Sequence, residues 1–110
     1  MPKLCDLILT GASGKKYTLE AYPLSTTFKA LGGIYAISKR ILNQDKTGTH
    51  TVLYVGQTGD LSARFNDHHK EDCWTRNSAN CISILLEGTE ARRLAIESDL
   101  VNAINPPCNG

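Results

Sequence analysis

The sequence predicts one small domain of the mixed α/β (α+β) class. A chain of 110 residues matches a single domain with a core of ordinary size. Strand-like segments such as GGIYAIS and TVLYVGQT are rich in β-branched and aromatic residues. By contrast, the stretches that follow Asp60 and Thr89 space their apolar residues at helical intervals. Strands and helices within one short chain define the class.

The N-terminal segment predicts a β-hairpin. LCDLILT and KKYTLEAY are strand-like and flank a glycine-containing turn at residues 11–14. The Gly-Ala-Ser-Gly sequence of this turn lacks the G-x-S-x-G spacing of a nucleophilic serine, and no helix follows it. We therefore interpret it as a turn, and residues 23–32 as a loop.

In the next two strands tyrosine alternates with Ile or Val. Tyr35 and Tyr54 therefore leave their strands on the face opposite to these neighbours. The polar stretch KRILNQDKTGTH between them reverses the chain, and pairing of the two strands would bring the tyrosines together. Gly56 would let a backbone or a ligand approach closely. Taken alone, tyrosines in strands are usually structural.

A helix is predicted over residues 60–69, with Asp60 as its N-cap. At 100° per residue, Arg64 and His68 lie four positions apart and project together from the edge of an apolar stripe. These two side chains are therefore candidates for a shared site.

The segment after this helix is polar and is expected to be irregular over residues 70–80. Trp74 within it either anchors the loop or stacks on a nucleic-acid base. CISILLE is short and apolar, which favours a buried strand. A second helix is then predicted from the cap Thr89 to about Ile104, ended by two prolines.

Glu97 lies in the middle of the apolar face of that second helix. With Glu97 set at 0°, four apolar residues fall within about 60° of it: Leu94, Leu100, Val101 and Ile104. A carboxylate that faces a core is costly unless it is paired, protonated or bound to metal. An i,i+4 pair with Arg93 is one explanation and a functional site is the other. The helix pattern alone leaves both open.

Composition and charge restrict the function only weakly. The net charge is +1, so the overall charge does not support DNA or RNA binding and only a local basic patch could. Most basic residues precede residue 80, which leaves room for such a patch. No apolar run approaches a membrane span, and the N-terminus lacks the order of a signal peptide. We expect a cytoplasmic protein without a membrane partner.

The four cysteines are Cys5, Cys73, Cys81 and Cys108. They form no C-x-x-C pair, which argues against a zinc ribbon. A Cys73–Cys81 bridge is open by sequence, but a cytoplasmic chain keeps its thiols reduced. We therefore expect free structural cysteines.

Six elements stand in order along the chain: Gly33-Ile34-Tyr35, Tyr54-Val55-Gly56, Arg64, His68, Glu97 and Asn109. In order and spacing they resemble the GIY-YIG nuclease superfamily. YVGQTGDLSARFNDH is similar to that family's second strand and arginine helix. EARRLAIESDLVNAINPPCN is similar to its glutamate helix, followed by a Pro-x-x-Asn tail. The resemblance covers residues 32–109.

The resemblance implies a central antiparallel sheet of about three strands flanked by helices, with the N-terminal hairpin as an extra element. Residues 1–31 would then be a hairpin extension and loop, and residues 32–110 the nuclease-like domain. The implied activity is a metal-dependent endonuclease acting on nucleic acid, on DNA more than on RNA. A partner protein or a second copy would supply specificity, because no recognition domain is attached.

The resemblance also implies roles for single residues. Tyr35 would help to activate the attacking water, and Tyr54 would position the phosphate. Arg64 would steady charge on the phosphate, and His68 would share the proton transfer. Glu97 would hold a single Mg²⁺ or Mn²⁺ ion. The supporting residues would be Gly33, Gly56 and Asn109.

Two other functions compete with the nuclease. One is a non-catalytic nucleic-acid-binding module, and the other is an interaction module without a nucleic-acid role, consistent with the near-neutral charge. The joint presence of the catalytic-type residues favours the enzyme, because binding alone does not need a buried acid. One departure from the family is Gln57, which stands where some relatives carry Lys.

Overall fold

Strands make up most of the regular structure. A computed structural model describes residues 3–44, 48–63 and 70–109. The strands are β1 (Cys5–Thr10), β2 (Lys16–Pro23), β3 (Gly33–Leu42), β4 (Gly48–Thr58) and β5 (Cys81–Leu86). The helices are α1 (Glu71–Arg76) and α2 (Glu90–Ile104), and a short 3-10 turn, Pro107–Asn109, follows α2.

All five strands form one antiparallel sheet in the order β1-β2-β5-β3-β4. The predicted fold class, about three central strands flanked by helices, is therefore wrong. The protein is mostly β, and α2 is the only long helix in the part of the chain that is described. The predicted hairpin is present as β1 and β2, but β2 also pairs with β5 and so continues the main sheet. A strand pattern shows that a segment is a strand, and it does not show which edge that strand will pair with.

The sheet curls until its two edge strands meet at one end. β1 and β4 lie at opposite edges, yet the Cys5 Sγ atom is 3.8 Å from the Nε2 atom of His50. In a flat sheet, the four spacings between neighbouring strands would place β1 and β4 roughly 19 Å apart. The contact therefore requires a strongly curved sheet. The right-handed twist of the strands favours such curvature.

The helix α2 covers one face of the sheet, which we call the helix face. The buried residues between α2 and the helix face are Leu9, Leu19, Ile34, Ala36, Val55 and Leu100. The opposite face carries a second cluster of buried residues: Tyr35, Ile37, Leu53, Leu61, Trp74, Ile82, Ile84 and Cys108. Ile34 and Ala36 face the helix while Tyr35 faces away, as the two-residue period of a strand requires.

A disulfide joins Cys73 of α1 to Cys108 of the C-terminal turn, 35 residues apart. The expectation of free thiols is wrong for this pair, and the bridge considered from the sequence, Cys73–Cys81, does not form. Cys5 and Cys81 are free. Spacing along the chain did not indicate the pairing, because the two cysteines are brought together by tertiary packing.

Several local predictions can be compared with the structure. The second helix and the strand at CISILLE are confirmed as α2 and β5. Residues 70–80 are not irregular throughout, since they contain α1. The helix predicted over residues 60–69 falls mostly on residues 64–69, outside the described residues, and residues 61–63 form a turn. Among the described helices, none is long and apolar enough to cross a membrane.

Candidate active site

The pairing of β3 with β4 brings the two motif tyrosines side by side. Tyr35 lies opposite Gly56, and Ile37 lies opposite Tyr54. The ring centroids of the two tyrosines are 6.0 Å apart. A Cβ atom at Gly56 would lie 2.6 Å from the Tyr35 hydroxyl and 2.9 Å from a ring carbon of Tyr54. The expectation that the tyrosines meet is confirmed. Their contact requires a residue without a side chain at position 56.

Gly33 has a similar packing role at the start of β3. A Cβ atom there would lie 2.7 Å from the carbonyl oxygen of Leu85 and 2.9 Å from the side chain of Leu61. The Leu61 N–H group also donates to the Leu31 carbonyl, at 2.8 Å. Gly33 therefore lets the chain that follows β4 pack closely over β3, just before the segment with Arg64.

The outer edge of β4 is occupied by two side chains. The Val55 N–H group donates to Asn109 Oδ1, and Asn109 Nδ2 donates to the Val55 carbonyl, both at 2.9 Å. Two residues further on, the Gln57 N–H group donates to the Glu97 carboxylate. Alternate residues of an edge strand point their backbone groups outward and are about 7 Å apart. Asn109 and Glu97 are thus neighbours along the edge that carries Tyr54.

Glu97 lies at the border of the buried side of α2, not at its centre. The buried residues of α2 are Arg93 and Leu100, and Leu94 is 47% exposed. The predicted apolar face is therefore rotated away from Leu94, toward Leu100 and Ile96. This rotation places Glu97 beside the edge of β4.

The environment of Glu97 disfavours its charge. Burial raises the pKa of the Glu97 carboxyl, and the hydrogen bond from the Gln57 backbone offsets this only in part. The alternative pair with Arg93 does not form among the described residues. Arg93 instead donates from Nε to Gln57 Oε1 at 3.1 Å and from Nη1 to the Glu87 carbonyl at 3.0 Å. Arg93 therefore supports the segment that holds Glu97 without neutralising it.

Both tyrosines are held as neutral phenols. Burial raises the pKa of Tyr35 well above its usual value, and the nearby Tyr54 and Glu97 raise it further. Burial also raises the pKa of Tyr54, although a hydrogen bond from the Tyr35 hydroxyl opposes this. Without a cation nearby, the Tyr35 hydroxyl therefore acts as a hydrogen-bond donor to Tyr54 at neutral pH.

Trp74 lies against the second tyrosine. It is 2% exposed, and its ring centroid is 5.7 Å from that of Tyr54. A ring so deeply buried is not available for stacking on a base, so the interpretation as an anchor is confirmed. Sequence reasoning missed its contact with Tyr54, as well as the supporting role of Arg93. Two features of the sequence could have indicated these roles. Trp74 is an aromatic residue in a polar segment, and Arg93 lies two helical turns before the apolar Leu100, on the same face of the helix.

Arg64 and His68 lie outside the described residues, so their convergence with the other site residues stays a prediction. Among the residues that are described, no group of three His, Cys, Asp or Glu side chains is placed to hold a metal ion.

The fold and the site together define a class: a small, mostly β protein with two tyrosines, a carboxylate and an amide gathered at one sheet edge. Comparisons of the chain with protein-family models, with curated proteins and with solved structures found no match.

Proposed function

We propose that this protein is a metal-dependent endonuclease of the GIY-YIG kind, which hydrolyses phosphodiester bonds in DNA. The observation that carries the proposal is the gathering of Tyr35, Tyr54, Glu97 and Asn109 around residues 54–57 of β4. These residues are far apart in sequence and belong to separate motif elements. The proposal rests on this site and not on the fold class.

The chemistry of the reaction fits these residue types. Phosphodiester hydrolysis needs a positioned nucleophile and positive groups against the charge that develops on the phosphate oxygens. The Tyr54 hydroxyl accepts a hydrogen bond from Tyr35 and keeps its own proton in the free protein, so it can donate to the water or to a phosphate oxygen. Arg64 would add a planar fork that matches phosphate geometry.

Glu97 has the character of a cation ligand. It is half-buried, its pKa is raised by burial, and a backbone N–H group partly compensates its charge. A divalent cation would relieve this cost. Mg²⁺ and Mn²⁺ accept one or two protein carboxylates, with water and phosphate oxygens completing the shell. When bound, such an ion acts as a Lewis acid toward the phosphate and its leaving oxygen.

The proton chemistry is assigned to the tyrosines and to His68. A phenol with a raised pKa is a poor base at neutral pH, so Tyr35 can accept a proton from water only when positive charge lowers its pKa. Arg64 would supply such charge in the complete site. His68 would take the proton onward.

DNA is the preferred substrate in this proposal, and RNA is the alternative to be tested. Specificity would come from a partner protein or from a second copy of the chain. We place the reaction in the cytoplasm, where the Cys73–Cys108 bond would be reduced; the bond would form in an oxidising compartment.

A non-catalytic nucleic-acid-binding module is the second candidate. The observation that favours it is the raised pKa of both Tyr35 and Tyr54, which suits hydrogen-bond donation better than proton removal. Such a module would bind the phosphate chain at the same edge of β4 without cleaving it.

Cleavage assays separate the two candidates. Plasmid DNA, single-stranded DNA and RNA are incubated with the protein in Mg²⁺ or Mn²⁺, and in parallel with a chelator, beside the Glu97→Gln variant. We expect cleavage of DNA that needs the metal and is lost in the variant. Binding of any of these nucleic acids without cleavage would favour the module, and neither binding nor cleavage would overturn both.

A further inference from the structure

A second polar cluster lies on the helix face, where the edge strands meet. It consists of Cys5 from β1, Ser38 from β3, His50 from β4, and Cys81 with Ser83 from β5. Ser38 lies directly opposite Cys81 in the sheet, and Ser83 lies opposite Ala36 on the same face. We call these five residues the thiol–imidazole cluster.

The cluster is a chain of polar contacts between two thiols. The Cys5 Sγ atom lies 3.8 Å from Nε2 of His50, and Nδ1 of His50 lies 3.0 Å from Ser38 Oγ. The Ser38 hydroxyl in turn interacts with the thiol of Cys81. The imidazole is thus oriented by a hydroxyl on one nitrogen and faces a thiol with the other, an arrangement typical of an activated cysteine.

The surroundings keep the imidazole in its neutral form. Burial lowers the pKa of His50, and the positive charge of Arg40 lowers it further. A neutral imidazole that donates from Nδ1–H to Ser38 has a free lone pair on Nε2 for the proton of Cys5. The charge of Arg40 acts on this end of the sheet and also on Cys81.

The two free thiols differ in access. Cys5 is partly exposed, whereas Cys81 is fully buried and burial raises the pKa of its thiol. Cys5 is therefore the thiol that a small molecule can reach, and Cys81 is not accessible.

Polar atoms in and beside the cluster are poorly satisfied by the fold. In the described structure, the buried Nε atom of Arg40, the residue opposite His50, has no hydrogen-bond partner, and the fully buried Ser83 hydroxyl has only the weak thiol of Cys81. An unsatisfied buried polar group ordinarily costs about 1–3 kcal/mol. If these residues only packed the core, apolar side chains would be favoured here. The polar composition of this end of the sheet therefore indicates a site.

We propose that Cys5 is a nucleophilic thiol that reacts with small disulfides, with His50 accepting its proton. The Cys5 sulfur attacks one sulfur of a disulfide RSSR, the S–S bond of RSSR breaks, and a Cys5–S–S–R bond forms. The departing RS⁻ takes the proton from His50 and leaves as RSH. Cys5–SH and RSSR thus give Cys5–S–SR and RSH, with no other oxidant. The site is separate from the edge of β4 and does not depend on the nuclease proposal.

The test uses the native full-length chain and 5,5′-dithiobis(2-nitrobenzoic acid) as the disulfide. The released thiol is followed by absorbance, and the modified residue is identified by mass spectrometry. We expect one rapid equivalent located on Cys5, which is lost in Cys5→Ser. The His50→Asn variant should react at least about tenfold more slowly, since it lacks the proton acceptor.

Two results would overturn the proposal: a rapid phase that survives Cys5→Ser, or an unchanged rate in a His50→Asn variant with the native near-ultraviolet circular dichroism. A second measurement applies if that variant does not fold. The rate at Cys5 in the wild-type protein is compared with its rate in guanidinium at the same pH. The native rate should be the higher, and an equal or lower native rate refutes an activated thiol.

Discussion

Two carboxylates of α2, Glu97 and Asp99, stand two residues apart and have opposite environments. Asp99 accepts from the Ser13 N–H group at 2.8 Å, from the Ser13 hydroxyl at 2.7 Å and from the Tyr17 hydroxyl at 2.8 Å. The bond from the Ser13 hydroxyl is the largest cause that lowers the pKa of Asp99. Glu97 has a raised pKa because burial outweighs the hydrogen bond from Gln57. The two side chains point about 160° apart around the helix.

The difference is the one we expect between a structural acid, Asp99, and the acid of the proposed site, Glu97. Asp99 ties the turn of the N-terminal hairpin to α2, and the fit is close: a Cβ atom at Gly11 would lie 2.1 Å from the Asp99 carboxylate. Its hydrogen-bonding capacity is used within the fold. Among the described residues, the Glu97 carboxylate has a hydrogen bond only from the Gln57 N–H group, and it lies at a sheet edge near two tyrosines. Charge that the fold leaves poorly compensated is the usual mark of a site.

The disulfide should stabilise the whole fold and support the packing around Tyr54, near Glu97. Closing a loop with a sequence separation of 35 residues contributes about 4 kcal/mol in the chain-entropy account. Replacing Cys73 and Cys108 by Ser should lower the melting temperature and change the fluorescence of Trp74, the only tryptophan, which packs on Tyr54.

The matched control is Cys5→Ser, which alters a free, partly exposed cysteine. It should leave the tryptophan spectrum as in the wild type. Equal spectra for all three proteins would mean that the disulfide does not support the region around Tyr54.

The two acids should differ sharply in activity. Glu97→Gln should lower the rate of plasmid cleavage by at least about a hundredfold, because an amide is a weak ligand for a hard cation. Asp99→Asn, the same chemical change on the same helix, should alter the rate by no more than about twofold. The nicking rate in Mg²⁺ measures both, and a similar loss in the two variants would remove the functional distinction.

Asn109 should contribute to stability through its two bonds to Val55. Asn109→Ala removes both bonds and exposes the edge of β4, at a cost of about 1–2 kcal/mol. Urea unfolding measures this difference. Asn102→Ala, an exposed change on α2, is the control and should be close to neutral. Equal midpoints for the two variants would show that the edge of β4 does not need Asn109.

The smallest effects concern pH, and the two acids should act with opposite sign. The folded-state pKa of Asp99 is lowered, so its stabilisation is present above the unfolded-state pKa and is lost as the pH falls through the folded-state pKa. The folded-state pKa of Glu97 is raised. Its contribution to the free energy of unfolding is therefore most favourable below the unfolded-state pKa, and it is lost as the pH rises through the folded-state pKa.

Melting temperatures measured from pH 7 to pH 3 test these signs. Asp99→Asn should flatten the loss of stability in acid, whereas metal-free Glu97→Gln should be as stable as the wild type at pH 7, or more stable by up to about 1 kcal/mol. If the pH dependence of the melting temperature changed in the same direction in both variants, the opposite pKa shifts of Glu97 and Asp99 would be contradicted.

Local pattern was enough to predict the site strands but not the sheet that contains them. The alternation around Tyr35 and Tyr54 indicates two paired strands whose tyrosines meet, and both features are present. The number of strands was wrong because β2 pairs with β5, a partner about 60 residues away that no turn connects to it. The helix with Glu97 was predicted, but its buried side was misplaced because Leu94 is exposed.

The sequence by itself determined the elements whose signals are short in range: the hairpin turn, the alternating strands, and the helix between Thr89 and the prolines. Only the tertiary structure decided which groups meet. The curl of the sheet brings Cys5 to His50, and packing pairs Cys73 with Cys108. The outward N–H groups of β4 select Asn109 and Glu97 as partners. Periodicity specifies the face on which a side chain lies, whereas its contacts depend on the pairing and curvature of distant segments.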